Sequence, residues 1–398
     1  MGRLAGTMSL FDLPPLPHCF SPEHEQFRAT LRGFVAREIS PFVNEWDEAE
    51  TFPLSLYQKA AALGITGIGY AEEWGGTPTD VFYKIILAEE FARCGSGGVQ
   101  ASLNSHTIAL PPIAAVGSYE LKQRVLPPVL SGDKVAALAI TEPGGGSDVA
   151  SLQTTAVLDG DHYVVNGEKT FITSGMRAHF ITTAVRTDPG SKGAKGISLL
   201  VIDGDTPGLT RSPLKKMGWW CSDTAHLHFA NCRVPARYLV GEEHHGFKYI
   251  MANFNAERLS MAALAYGYAQ VCFEEALDWA RQRQTFGQAL SERQVVRHKL
   301  MDMHMRIVAA RSTVHELAYR IEHSLGDPAA LVASIAMAKV LATQAMQFCA
   351  DQSLQILGGM GYMRGTRSER IYREVKVMMI GGGSEEIMKD LAAKQLGI

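Results

Sequence analysis

The sequence predicts an α+β chain in which two helical blocks stand on either side of a β block. Three observations carry this. Apolar residues recur at helical spacing in the first block, residues 1–135, from about Ser21 onward. Residues 136–245 switch to β-rich runs punctuated by Asp-Gly and Asn-Gly. Residues 246–398 return to helical spacing and hold a long a/d seam.

In the first block, Ser21 and Pro22 suit the N-cap and first position of a helix. Phe27, Leu31 and Phe34 then fall on one helical face. Gly75-Gly76 and Gly95, Gly97 and Gly98 punctuate the later helices. In the second block, Asp159-Gly160 and Asn166-Gly167 predict two hairpin turns, because such pairs tolerate the positive φ of tight β-turns. "HFITTAV", "GISLLVI" and "AHLHFA" read as further strands. In the third block, Leu300, Met303, Ile307, Ala310, Val314, Leu317 and Ile321 alternate steps of three and four. That is the seam of an antiparallel bundle or a subunit interface. Gly326-Asp327-Pro328 breaks it, and a second long helix runs from about Ala329 to Leu357, stopping at Gly358-Gly359.

Bulk composition excludes some functions. The chain has 398 residues, 46% hydrophobic and 20% charged, with a formal net charge of −3. No global field recruits nucleic acid or an anionic membrane, and no run approaches eighteen consecutive apolar residues, so no membrane span is expected. The six cysteines are scattered without a C-x-x-C pair, which points to core thiols in a reducing, cytoplasmic setting. The first twenty residues lack the apolar core of a secretory signal, and Asp12 and the prolines argue against an amphipathic leader. No metal-ligand spacing is evident among the thirteen histidines.

Four stretches could carry chemistry. "AITEPGGGSDVASLQTTA" is a strand followed by a glycine-rich loop with hydroxyls at Thr141 and Ser147. It reads either as a plain turn or as a backbone cradle for a phosphate. In "NGEKTFITSG", Phe171 and Thr173 share a strand face, where a ring beside a hydroxyl suits a planar heterocycle or a half-buried surface pair. In "MGWWCSDT", Cys221 and Ser222 lack a nucleophile-elbow context and read as structural or binding groups. In "NFNAERLSMAALAYG", Glu257-Arg258 is either a solvated pair near a helix start or a functional carboxylate. Near the end, "VMMIGGGSEEIM" sets three glycines before Ser384, a good N-cap for a helix reaching about Leu396 with Gly397 as its stop. Gly381, Gly382 and Gly383 are expected to supply positive φ and close approach. Glu385 and Glu386 suit the positive end of that helix.

Taken together, "ITEPGGGSDVASLQTTA", "NGEKTFITSG", "MGWWCSDT", "RQTFGQAL", "LQILGGMGY" and "YREVKVMMIGGGSEEI" resemble, in order, the acyl-CoA dehydrogenase family. The resemblance covers nearly the whole chain from Ser21. It implies an N-terminal helical domain, a middle β-barrel-like domain and a C-terminal four-helix bundle, with FAD as cofactor. It also implies an acyl-CoA substrate, electron-transfer flavoprotein as electron acceptor and a homotetramer. Carried over, Thr141, Gly146 and Ser147 would meet the flavin and its pyrophosphate, Phe171 would lie against the ring, and Thr173 would sit near the hydride-accepting N5. Arg283, Thr285 and Phe286 would reach a neighbouring subunit's FAD, as would Gln355 and Gly359; Ser384 and Glu386 would lie near the adenosine end. Ser147, Phe254, Arg258, Gly381 and Gly382 would line the substrate.

The resemblance also locates the base. Many members carry the catalytic glutamate on the C-terminal loop, where this chain has Gly382. A minority, including isovaleryl-CoA and long-chain acyl-CoA dehydrogenases, supply it from an earlier helix as "ER", which Glu257-Arg258 matches. Glu257 is therefore the expected base, raised in pKa by burial, and the N–H of Gly382 the expected donor to the thioester oxygen. Gly381, often aromatic in straight-chain relatives, predicts room for a branched or wide acyl group. Rival readings are an acyl-CoA oxidase, an FAD-binding relative that binds nucleic acid, and a flavin scaffold without activity.

Overall fold

The computed structural model describes Leu16 and residues 18–398. The expectation about an N-terminal leader falls almost wholly outside the described residues. The chain folds as two compact units, one of residues up to Val43 with Asp80–Gly97 and Arg258–Ile398, the other of Asn44–Thr79 and Gly98–Glu257.

The helical unit begins with α1 (Pro22–Phe34). Ser21 caps it through a reciprocal bond with His24, and Pro22 takes the first turn. Leu31 and Phe34 are buried, and α1 packs on α2 (Val81–Ala92). Arg28 enters this contact and pairs with the buried Glu89 and Glu90. Glu89 also accepts from Tyr266 Oη at 2.7 Å and meets His315 Nε2 at 3.1 Å. Burial alone would push the Glu89 carboxyl up, but the His315 bond and the Arg28 and Arg311 charges hold it well below the carboxylate range. One carboxylate thus links α1 and α2 to α3 (Gly246–Gln282) and α4 (Gln294–Glu322).

The predicted seam is the buried face of α4: Leu300, Met303, Ile307, Ala310, Val314 and Leu317 are buried, and Ile321 is half-buried at the helix end. Asp327 caps α5 (Pro328–Leu357) by accepting from Ala330 N at 2.9 Å, and Gly358 ends it at φ 62°. α5 packs against α4, α6 (Arg367–Ile380) and α7 (Glu385–Leu396). It is apolar on several faces for that reason. Its most apolar eighteen-residue window has mean hydropathy 1.6, enough by composition to cross a membrane, but 56% of that window is buried inside the fold, as in a core helix.

The other unit is built on a seven-stranded sheet in the order β1-β4-β2-β3-β7-β6, with β5 paired to β4. The strands are β1 (Ala136–Ala139), β2 (Thr155–Asp159), β3 (His162–Thr173), β4 (Phe180–Arg186), β5 (Ile197–Asp203), β6 (Leu209–Pro213) and β7 (Thr224–Pro235). The ladder does not close on itself among the described strands, so hydrogen bonding defines a sheet. β4 and β5 run through the middle of its core and are almost wholly buried.

The first predicted hairpin is present: Asp159 pairs with His162 across a turn containing Gly160 at φ 63°. The second is not. β3 runs straight through Asn166-Gly167, which form a bulge against β7, with Gly167 at φ 143°. The bulge answers to packing as well. A Cβ at Gly167 would lie 2.7 Å from Thr154 Cα, and Asn166 Oδ1 accepts from Asn231 N at 2.8 Å. All six cysteines are buried free thiols. Cys221 Sγ packs where a Cβ on Gly98 would be, and Ser222 Oγ lies 2.8 Å from Ser102 Oγ, so both serve packing in the sheet unit.

Candidate active site

The glycine-rich loop after β1 is tied down at its base and open at its crest. Glu142 is buried, and its carboxylate accepts from Gln153 N at 2.5 Å, Thr154 N at 2.9 Å and Lys169 Nζ at 2.8 Å. Lys169 is fully buried on β3 and also donates to Ile140 O at 2.9 Å. Burial pushes Lys169 down to about 8 against the pull of Glu142. Burial would push Glu142 up, yet Lys169 and the two amides hold it below its ordinary value. Thr170 N donates to Thr141 O at 2.9 Å, which joins the loop to β3. Beyond this anchor, residues 143–148 are exposed. A Cβ on Gly144 or Gly145 would meet nothing within 4 Å, and one on Gly146 would touch only Thr141 Cγ2 at 3.5 Å. The sequence reading missed Glu142 and Lys169. Plain alternation would put Lys169 on the same face as the outward-facing Phe171. Only the irregularity of β3 between Lys169 and Ile172 lets it point inward, so the sequence carried no signal for the pair.

Phe171 sits within a second irregularity of β3, between Lys169 and Ile172. Lys169 and Thr170 are both buried, which breaks the alternation. Phe171 adopts φ 61°, and its ring is 69% exposed. Ile172 is buried, and the half-buried Thr173 pairs with Thr224. Phe171 and Thr173 thus both lie off the buried face, but a bulge rather than plain pleating directs the ring.

In the helical unit, the end of the chain folds as its residues predict. Ser384 caps α7, accepting from Ile387 N, and Gly397 ends it at φ 73°. Only two of the three glycines need their freedom for φ: Gly382 at 66° and Gly383 at 116°. Gly381 is at φ −61°, open to any residue by that angle. It is small for another reason, since a Cβ there would lie 3.0 Å from Val377 O. Arg258, buried on α3, donates Nε–H to Gly382 O at 3.0 Å. Met261 Sδ lies 2.8 Å from where a Cβ on Gly382 would stand. Glu257 is a half-buried residue of α3, one helical turn before Met261. Phe254, also half-buried, lies one turn before Arg258. Glu386 is exposed, held below its ordinary value by its own backbone N–H and the Ser384 hydroxyl. Glu385 faces Gln344 at 3.2 Å and Lys389 at 3.6 Å. Both glutamates fit a helix's first turn.

The remaining predicted residues stand at the surface of the helical unit. Arg283 leads into the hairpin β8 (Gln284–Thr285) and β9 (Gln288–Ala289). Phe286 at φ 49° and Gly287 at φ 80° make its two-residue turn, as a type I′ turn requires. The Phe286 ring is 99% exposed, with the Arg293 guanidinium 5.7 Å from its centre, and Arg293 also donates to Thr285 O at 2.8 Å. Gln355 is exposed in the last turn of α5, and Gly359 just after it has open space where a Cβ would be.

Models of the N-terminal, middle and C-terminal domains of acyl-CoA dehydrogenase match residues 21–133, 137–232 and 244–397. The chain belongs to the acyl-CoA dehydrogenase family. It is 36% identical over 379 residues to the mitochondrial long-chain specific acyl-CoA dehydrogenase of Rattus norvegicus, covering 95% of this chain and 87% of that one. The crystal structure of acyl-CoA dehydrogenase from Geobacillus kaustophilus superposes with a TM-score of 0.91 at 37% identity, covering 95% and 99% of the two chains. A glutaryl-CoA dehydrogenase from Mycobacterium smegmatis, solved in complex with FADH2, is 25% identical with a TM-score of 0.89, covering 97% of each chain. As an acyl-CoA dehydrogenase the chain is a flavoprotein oxidoreductase, and its residues fit a flavin. The loop crest presents backbone without side chains, suited to a pyrophosphate. The exposed Phe171 side chain offers a flat apolar face, and the half-buried Thr173 two residues on offers a hydroxyl. Among the described residues, no cluster of histidine, cysteine and carboxylate could hold a metal ion.

Proposed function

We propose that this acyl-CoA dehydrogenase uses Glu257 to remove the α-proton of an acyl-CoA thioester while the β-hydrogen leaves as hydride, giving the trans-2-enoyl-CoA. When bound, FAD supplies the hydride acceptor. The observation that carries the assignment is the bond from Arg258, the neighbour of Glu257 on α3, to Gly382 O at 3.0 Å. It fastens the helix that holds the carboxylate to the turn that lacks one.

The turn keeps a different capacity. The N–H of Gly382 donates to no described residue. An α-proton next to a thioester is too weakly acidic for an unaided carboxylate, so charge developing on the carbonyl oxygen must be met by donors. One aimed donor contributes about 3 kcal/mol in a dry site. Gly382 N–H takes that role here, and Glu257 the role of general base. Thr141, Gly146, Ser147, Phe171 and Thr173 hold and orient the flavin, with Ser384 and Glu386 toward its adenosine end. Ser147, Phe254, Arg258 and Gly381 line the acyl-CoA, and the lack of a side chain at Gly381 favours a branched or wide acyl group.

The proposal extends to assembly and setting. The sequence divides by role into residues 1–135, 136–245 and 246–398. The enzyme is a cytoplasmic homotetramer that passes electrons to electron-transfer flavoprotein, with Arg283, Thr285, Phe286, Gln355 and Gly359 serving a neighbouring subunit's FAD. In support of assembly, Met301, Met305 and Val308 form an exposed apolar stripe on α4, and Phe286 is 99% exposed.

Anaerobic flavin bleaching across straight, 2-methyl and isovaleryl CoA esters tests both competence and shape. Glu257→Gln holoenzyme should keep its FAD and lose bleaching by ~10²-fold or more. Bleaching at the wild-type rate in that variant would remove Glu257 as the base, and a strong preference for unbranched esters would remove the acyl-shape reading.

A further inference from the structure

Lys339 lies in the middle of α5 with no exposed surface. Its ammonium donates to Met379 O at 3.0 Å and to Gly383 O at 2.7 Å. Met379 belongs to the last turn of α6, where carbonyls lack intrahelical donors and carry the negative end of the helix dipole. Gly383 directly precedes Ser384, the cap of α7. One cation therefore ties the end of one helix to the start of the next, across the glycine turn. Burying an ammonium costs several kcal/mol before its partners are counted. An alkyl side chain would fill this position of an apolar helix without that cost.

The turn between the tethers explains the need. Gly381 at φ −61°, ψ 150° followed by Gly382 at φ 66° approximates the two corners of a type II turn. The peptide joining them carries the Gly382 N–H. Rotating that one peptide plane converts type II geometry into type I, and glycine at both corners permits either. The direction of the N–H must then be set by the flanking peptides. Arg258 fixes the following one through Gly382 O, and Lys339 fixes Met379 O on one side and Gly383 O on the other.

We propose that Lys339 is a positioning residue that holds the Gly382 N–H on the thioester carbonyl; this rests on the reading of Gly382 as the donor to that oxygen. The test uses holoenzyme and the 2-enoyl-CoA product of whichever ester bleaches the flavin fastest, labelled with 13C at the thioester carbonyl. In the wild type, the bound carbonyl band should shift to lower frequency than in water. Lys339→Met should lose at least half of that shift and lower kcat by ~10- to 100-fold, with KM moving less than ~3-fold and FAD content unchanged. Lys339→Arg, which keeps the charge and the donors, should recover part of both. A full carbonyl shift with kcat within ~2-fold in Lys339→Met would overturn the proposal. No shift in the wild type would instead overturn the reading of Gly382 beneath it. If Lys339→Met does not fold with FAD, Lys339→Gln is read in the same way; failure of both to fold overturns the proposal in favour of a purely structural lysine.

Discussion

Arg258 Nε donates to Gly382 O at 3.0 Å, joining a long helix to a glycine turn 124 residues further along the chain. A hydrogen bond from a charged donor contributes about 1.5–3 kcal/mol, and removing the donor leaves a half-buried carbonyl to be desolvated. Arg258→Met should lower the unfolding midpoint and kcat together, the latter by ~10-fold or more. Arg258→Lys moves the donor to the end of a flexible stem and should fall between the two. Denaturant unfolding beside steady-state rates on the same holoenzyme preparations makes the check. A loss of stability with kcat unchanged would show that the bond does not serve catalysis.

Gly382 combines φ 66° with a neighbour, Met261 Sδ, 2.8 Å from where a Cβ would stand. An L-residue in this conformation costs roughly 1–2 kcal/mol. The Met261 side chain can yield, so Gly382→Ala should fold with a modestly lowered midpoint. Its kcat should fall more than ~10-fold, because the donor N–H shifts as the turn relaxes. Retained flavin absorbance with slowed anaerobic bleaching is the expected pattern. Unchanged bleaching would mean that this amide does not meet the thioester.

What the sequence made legible was mostly local. Ser21 and Ser384 both cap helices, since a cap needs only its own first turn. The α4 seam was legible because periodicity reports burial directly. Asn166-Gly167 misled because a hairpin turn and a β-bulge make the same demand for positive φ; pairing with β7, far along the chain, decides between them. Gly381 misled because smallness next to Val377 O looks, in sequence, like conformational freedom. Glu142, Lys169 and Lys339 were invisible as anchors. A buried charge is explained only by its partner, and those partners lie on other elements. The chemistry-bearing residue types were legible, but the bonds that hold them were not.

The Glu142–Lys169 pair predicts how the sheet unit responds to acid. The carboxyl of Glu142 is held below its ordinary value, which is about 4.3 in an unfolded chain. A depressed carboxyl pKa contributes stability that is present above the unfolded value and lost as pH falls through the folded one. Glu142→Gln should therefore be less stable than wild type at pH 7, where it also leaves Lys169 buried without its carboxylate. The gap should narrow as pH drops below ~4. Thermal midpoints from pH 7 to pH 3 would show it, and a gap independent of pH would dissociate the pair from acid stability. FAD retention should fall in the same variant, because residues 143–148 lose the anchor of their loop.

Phe171 separates cofactor binding from folding. Its ring is 69% exposed in a left-handed backbone conformation, so in the apoprotein it covers little that needs covering. Phe171→Ala should change apoprotein stability by no more than ~0.5 kcal/mol. Contact between an aromatic ring and a planar heterocycle contributes about 0.5–1.5 kcal/mol beyond the area it buries, so FAD affinity should weaken by ~2- to 10-fold or more. Phe171→Trp keeps a flat face at the same position and should retain affinity. Titrating apoprotein with FAD by fluorescence, alongside melting with and without the cofactor, separates the two quantities. If Phe171→Ala lowered the apoprotein and holoenzyme midpoints equally and left FAD affinity intact, the ring would be part of the fold and not of the flavin site.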